Sequence, residues 1–79
     1  MDERNTITTC INLCETGFMY DFRHYYKEIA TLLEPFKGDK NIDQAIGLTR
    51  AGETTSSARF CYPHIADQLR DRLEAITSQ

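Results

Sequence analysis

The stretch that decides the fold is residues 7–36, ITTCINLCETGFMYDFRHYYKEIATLLEPF. Apolar side chains recur in it at steps of three and four, the spacing of one face of an α-helix. The members of this stripe are Ile7, Ile11, Cys14, Phe18, Phe22, Tyr25, Ile29, Leu32 and Phe36. The pattern predicts a long N-terminal helix whose apolar face, including Phe18, Phe22 and Tyr25, packs against the rest of the chain.

The two parts of this stretch differ in how clearly they indicate a helix. Residues 18–34 are predicted to be helical, and Pro35 ends the helix because the residue before a proline is pushed out of the α region. Residues 6–16 are rich in β-branched side chains, which favours a strand, but they continue the helical stripe, and we prefer the helix. Gly17 between them marks a kink or, with Thr16 as the cap, the true helix start.

A second helix is predicted to open at Ile42, because Asn41 followed by Gln44 resembles a capping box. Its inward side chains are Ile42, Ala45, Ile46 and Thr49. Small residues follow over 47–58, and they have two interpretations. Either the helix continues and lets another backbone come close, or the chain forms a hairpin that turns at residues 51–53.

A last helix is predicted after Pro63, which suits the first turn of a helix. Its apolar stripe is Ile65, Leu69, Leu73 and Ile76. The predicted fold is therefore all-α, a single small helical domain over residues 1–79 with a long N-terminal helix packed against two further helices. The alternative is a small α+β fold with a three-stranded sheet near residues 6–14, 45–49 and 55–62.

Composition excludes several classes of protein. The chain has 79 residues, a net charge of -3, 41% hydrophobic and 27% charged residues. Without a basic excess, broad nucleic-acid binding is not expected. No apolar run resembles a secretory signal or a membrane span, so we expect a cytoplasmic location and no membrane contact. Three cysteines in a reducing compartment are expected to be thiols.

A second apolar strip flanks the main stripe of the first helix. Its members are Met19, Tyr26, Ala30 and Leu33. Tyrosine and methionine are enriched at protein interfaces, and a chain of this size often gains stability by oligomerising. The strip predicts an interface for a homo-oligomer or a protein partner.

A polar group lies opposite the stripe on the same predicted helix. Tyr20, Arg23, His24 and Lys27 follow one another at helical spacing. Arginine and lysine can hold a small anion while a planar ring stacks on tyrosine. These four residues are a possible anion-binding site.

Metal binding and catalysis are not expected, and no cofactor is implied. Cys10, Cys14, Cys61 and His64 are the residue types that zinc prefers, but their spacing is not that of a common zinc finger. No nucleophile has a base and an orienting group at a recognisable spacing, and no glycine-rich phosphate loop follows a strand. We predict no metal site and no enzymatic activity.

The segment DQAIGLT, residues 43–49, resembles the second helix of small phage proteins that sequester cyclic nucleotides. That resemblance implies an all-helical oligomer with nucleotide pockets between subunits, and it assigns no binding residue here. The function predicted from the residues is that of a non-enzymatic, cytoplasmic interaction or regulatory protein that self-associates and binds protein. The alternative is a module that sequesters an anionic small molecule such as a cyclic nucleotide.

Overall fold

The computed structural model describes residues 2–55 and 58–78. They form four α-helices: α1 Glu3–Tyr20, α2 Tyr25–Leu33, α3 Lys40–Thr54 and α4 Cys61–Thr77. Short 3₁₀ turns, Glu34–Phe36 and Ala58–Phe60, precede α3 and α4. The described residues are 86% helical, which confirms the all-α prediction with a long N-terminal helix packed on the others.

The α+β alternative is wrong for the residues that the structure describes. Residues 6–14 lie inside α1 and residues 45–49 lie inside α3. Of the third proposed strand, residues 58–62 are helical and residues 56 and 57 lie outside the described part. No described helix is long and apolar enough to cross a membrane.

The predicted continuous helix over residues 18–34 is also wrong, because the chain reverses after Tyr20. Asp21 adopts the left-handed conformation (φ 56°), which its short polar side chain tolerates. The amide of Phe22 donates to the carbonyl of Gly17 at 3.0 Å, so the last turn closes as a Schellman motif. A straight 30-residue helix would measure about 45 Å, whereas the longest axis of the molecule is 38 Å.

The start of α3 lies two residues earlier than predicted. Asp39, not Asn41, is the cap: its carboxylate accepts from the amides of Asn41 (2.9 Å) and Ile42 (3.1 Å). Gly38 has φ 112°, a conformation open to glycine, and its amide donates to Asp43 at 2.8 Å. Asp43 and Asp39 together fix the turn, so Gln44 has no capping role.

The helices alternate in direction around one hydrophobic core. The predicted inward residues of α3, and Ile65 and Leu69 of α4, are buried, while Leu73 and Ile76 are half-buried against the core. Near one end, Arg72 of α4 joins Glu3 of α1 at 2.6 Å and Asp39, the α3 cap, at 3.3 Å. These contacts hold α1, α3 and α4 together at the end opposite the α1–α2 turn.

A pair of stacked tyrosines joins all four helices near the other end. Tyr26 of α2 and Tyr62 of α4 are fully buried, with ring centroids 4.0 Å apart and planes 10° apart. Gly17 of α1 lies against the outer face of Tyr62, and Gly52 of α3 lies against the outer face of Tyr26. Gly17 is thus neither a kink nor a helix start but a close contact inside α1.

Candidate interaction surface

Large apolar side chains are exposed where α1 gives way to α2. The set comprises Phe18 (39% exposed), Met19 (67%), Tyr20 (60%), Phe22 (36%) and Phe60 (54%). Among residues 2–55 and 58–78 these are all of the large hydrophobic side chains that are exposed. We call this set the aromatic end. Its position follows from the reversal at Asp21, which turns residues 18–22 away from the core.

One half of the aromatic end is organised around a cation. Phe18 and Phe60 meet edge to face with ring centroids 6.1 Å apart. The guanidinium of Arg59 lies 5.5 Å from the Phe18 ring centre and 5.2 Å from the Phe60 ring centre. Such cation–π contacts favour this position of the arginine over the rings. The result is a surface of aromatic rings that carries one positive charge.

The other half is a row of rings at the α1–α2 turn. Tyr20 stacks on Phe22 with centroids 5.4 Å apart, and Phe22 lies 5.2 Å from the His24 ring. Tyr25 contacts both Phe22 and His24 edge to face. The backbone of the turn is anchored from α4, because the Tyr62 hydroxyl donates to the carbonyl of Phe22. The backbone at Phe22 is therefore anchored, while the side chains of Tyr20 and Phe22 face solvent.

Three of the four predicted anion-binding residues share one pocket. Arg23, His24 and Lys27 line a surface pocket of about 410 Å³ together with Glu53 of α3. Arg23 is oriented by a 2.9 Å hydrogen bond from its Nη2 to the carbonyl of Thr55. We call this the basic pocket. Tyr20, the fourth predicted residue, lies outside its walls and connects to it through Phe22 and His24.

The predicted interface strip is wrong at two of its four residues. Tyr26 and Leu33 are fully buried, so they belong to the core and present no surface. Ala30 is half-buried, and Met19 is exposed. The predicted core residues Phe18 and Phe22 are instead exposed, and Tyr25 is half-buried. After the reversal at Asp21, α2 packs through a face that combines Ile29 of the main stripe with Tyr26 and Leu33 of the second strip.

Phe60 is a surface residue that the sequence did not single out. Phe60 follows the run of small residues and precedes the last helix. In the sequence, only its large ring and the adjacent Arg59 indicate that it could take part in binding. Beside it, a cavity of about 170 Å³ opens between α1 and α4, lined in part by Cys14, Phe18 and Tyr62. An ion pair between Glu15 and Arg70 (3.4 Å) lies at this cavity.

The four zinc-type residues do not converge. Burial raises the pKa of the Cys10 and Cys14 thiols from 9.0 to about 12, so both stay protonated at neutral pH. Cys61 is half-buried, whereas His64 is exposed on the face between α3 and α4. Within the described part of the chain, no three His, Cys, Asp or Glu side chains are grouped as metal ligands would be.

Comparison with known proteins adds no further information about this surface. No family model matches the chain, and neither a curated protein nor a solved structure matches it. The resemblance of residues 43–49 to cyclic-nucleotide-binding phage proteins gains no support. The aromatic end and the basic pocket are therefore the two features of this chain that point to a function.

Proposed function

We propose that this chain is a small, non-enzymatic, cytoplasmic interaction domain that self-associates through its aromatic end. The observation that carries the proposal is the grouping of the exposed large hydrophobic side chains at one end of the bundle. The largest apolar patch on a monomeric soluble protein typically measures about 300–600 Å² and is often an interaction site. The occupant that we propose is a second copy of the same chain.

The exposed area supports an interface of ordinary size. At roughly 200 Å² for a large side chain, the exposed fractions of the five residues correspond to roughly 500 Å². A standard interface buries about 800 Å² per partner, and homodimer interfaces are about 65% apolar. The aromatic end with a polar rim fits both values.

The residue types also support a protein partner. Phenylalanine, tyrosine, methionine and arginine are enriched at interfaces, and the aromatic end with Arg59 is built from these four types. Its surroundings carry both signs of charge, with Arg23 and Lys27 beside Asp21 and Glu53. A symmetric contact can therefore pair a cation of one copy with a carboxylate of the other.

Sedimentation velocity over the micromolar to millimolar range tests this proposal. We expect the unmodified chain to form a dimer or higher oligomer, and the double variant Met19→Glu/Phe60→Glu to weaken association by at least about tenfold, since buried anchors dominate interface energy. Ala75→Glu, an exposed alanine of α4, is the matched control and should associate like the unmodified chain.

Circular dichroism of each variant separates loss of contact from loss of fold. Both substituted side chains are more than half exposed, so the helical spectrum should not change. A monomer at every concentration of the unmodified chain would refute self-association. A double variant that stays helical and associates normally would move the interface away from the aromatic end.

A further inference from the structure

We propose that the basic pocket binds a small phosphate-bearing ligand with a planar ring, of the nucleoside monophosphate class. The pocket supplies three kinds of contact that such a ligand needs. Arg23 and Lys27 provide charge for the phosphate, Glu53 provides an acceptor, and the ring row that begins at His24 provides stacking. This site adjoins the self-association surface, because Phe22 and Tyr20 belong to the aromatic end and the charged side chains of the pocket lie beside it.

The cations of the pocket are available for an anion. Within the described part of the chain, Arg72, Lys37 and Arg70 form ion pairs with carboxylates. Arg23 and Lys27 have no such partner there. The hydrogen bond from Arg23 to Thr55 uses one nitrogen, which leaves the other donors of a positioned guanidinium for a phosphate.

The Glu53 carboxylate affects which anions the pocket can bind. A carboxylate in the pocket repels a bare phosphate, so the pocket is poorly suited to an inorganic ion alone. The same carboxylate accepts hydrogen bonds from the hydroxyl groups of a ribose. The pocket is a shallow depression of about 410 Å³ that is open to solvent, so it contacts one side of the ligand.

The ring row extends from the pocket to solvent. His24 lines the pocket, Phe22 lies beside His24, and Tyr20 stacks on Phe22 and is 60% exposed. Base–aromatic stacking depends on a free ring face more than on the identity of the base. A planar base can therefore join this row while its phosphate contacts Arg23 and Lys27.

Titration calorimetry with adenosine monophosphate, inorganic phosphate and adenosine tests the site. The measurements use the Met19→Glu/Phe60→Glu variant as well as the unmodified chain, so that ligand binding and self-association are scored separately. We expect saturable binding of adenosine monophosphate that is at least about tenfold tighter than that of phosphate or adenosine. Absence of saturable binding, or equal affinity for phosphate and the monophosphate, would overturn the proposal.

Four substitutions test whether the ligand binds in the basic pocket. Lys27→Ala and Arg23→Ala should each weaken monophosphate binding by about tenfold, while Lys40→Ala, a cation at the start of α3, should leave it within about twofold. Glu53→Gln should tighten binding of inorganic phosphate by removing the repulsion. If Lys40→Ala weakens binding as much as Lys27→Ala, the attraction is diffuse and the pocket is not the site. Lys27 is exposed and its side chain makes no described hydrogen bond, so its variant should fold normally.

Discussion

Replacing Gly52 by alanine tests the tyrosine stack that joins the four helices. In the interior of a helix this change normally stabilises, because glycine is about 1 kcal/mol worse than alanine there. Gly52 lies against the Tyr26 ring, however, and a methyl group on it would be 2.6 Å from both Cε atoms of that ring. Gly47, in the same helix, has no neighbour within 4 Å of such a methyl group and is the matched control.

Gly52→Ala should lower the free energy of unfolding, whereas Gly47→Ala should raise it. Carbon atoms pack at about 3.5–4.0 Å, so the Tyr26 ring would have to move by about 1 Å. It cannot retreat, because the Tyr62 ring stacks behind it at 4.0 Å and Gly17 closes the far side. Overpacking of this kind costs about 1–3 kcal/mol. Gly47→Ala should stabilise by about 0.5–1 kcal/mol, and the two variants should therefore differ by about 1.5–4 kcal/mol.

Urea unfolding followed by circular dichroism measures both variants. For a domain of this size 1 kcal/mol corresponds to about 4–8 °C in Tm, so thermal melts should separate them clearly. Gly17→Ala presses on the same stack from the other side and should behave like Gly52→Ala. The double variant Gly17→Ala/Gly52→Ala should lose more free energy of unfolding than the two single variants together, because both methyl groups press on the same pair of rings. If Gly52→Ala stabilised the chain as Gly47→Ala does, the tyrosine stack would not be packed as described.

Two further predictions concern the core. Tyr26→Asp with Leu33→Asp should abolish the helical circular dichroism signal, since both side chains are fully buried; a folded monomer would instead return these residues to an interface. Burial raises the pKa of Cys10 and Cys14 from 9.0 to about 12 and raises the pKa of Tyr26 and Tyr62 above 10.0. These groups ionise first in the unfolded chain, so their contribution to the free energy of unfolding should be constant below about pH 9 and should fall as the pH rises towards 12. The slope is on the order of 1.4 kcal/mol per pH unit for each such group. Denaturant titrations under reducing conditions at a series of alkaline pH values measure it, and a flat profile up to pH 11 would contradict the burial of these groups.

The candidate site was predictable only in part. Arg23, His24 and Lys27 were singled out on the assumption of one helix, and they do share a pocket. They do so because the first two precede α2 directly and Lys27 lies in its first turn. Glu53 comes from the end of α3, and no local pattern connects a residue so distant in the chain to this group. Tyr20 lies at the end of α1, outside the pocket, and reaches it only through the ring contacts of Phe22 with Tyr20 and His24.

By itself, the sequence determined the elements whose signals are local. Spacing of apolar side chains fixed the inward face of α3 at Ile42, Ala45 and Ile46, and the position of Pro63 fixed the first turn of α4. Helical periodicity also identified residues 7–14 as part of α1 despite their β-branched side chains. These features follow from backbone geometry within a few residues and do not depend on what the helix packs against.

Only the tertiary structure decided where the long apolar stripe is interrupted. The periodicity runs through Asp21 without a slip, so nothing local separates α1 from α2. The interruption arises because α2 folds back and buries Tyr26 against Tyr62 and Gly52. The stability that this burial provides depends on residues far along the chain. That reversal moved Tyr26 and Leu33 into the core and left Phe18 and Phe22 at the surface. Burial depends on how the helices assemble, because apolar side chains at a spacing of three and four residues can form either a buried face or an exposed face of a helix.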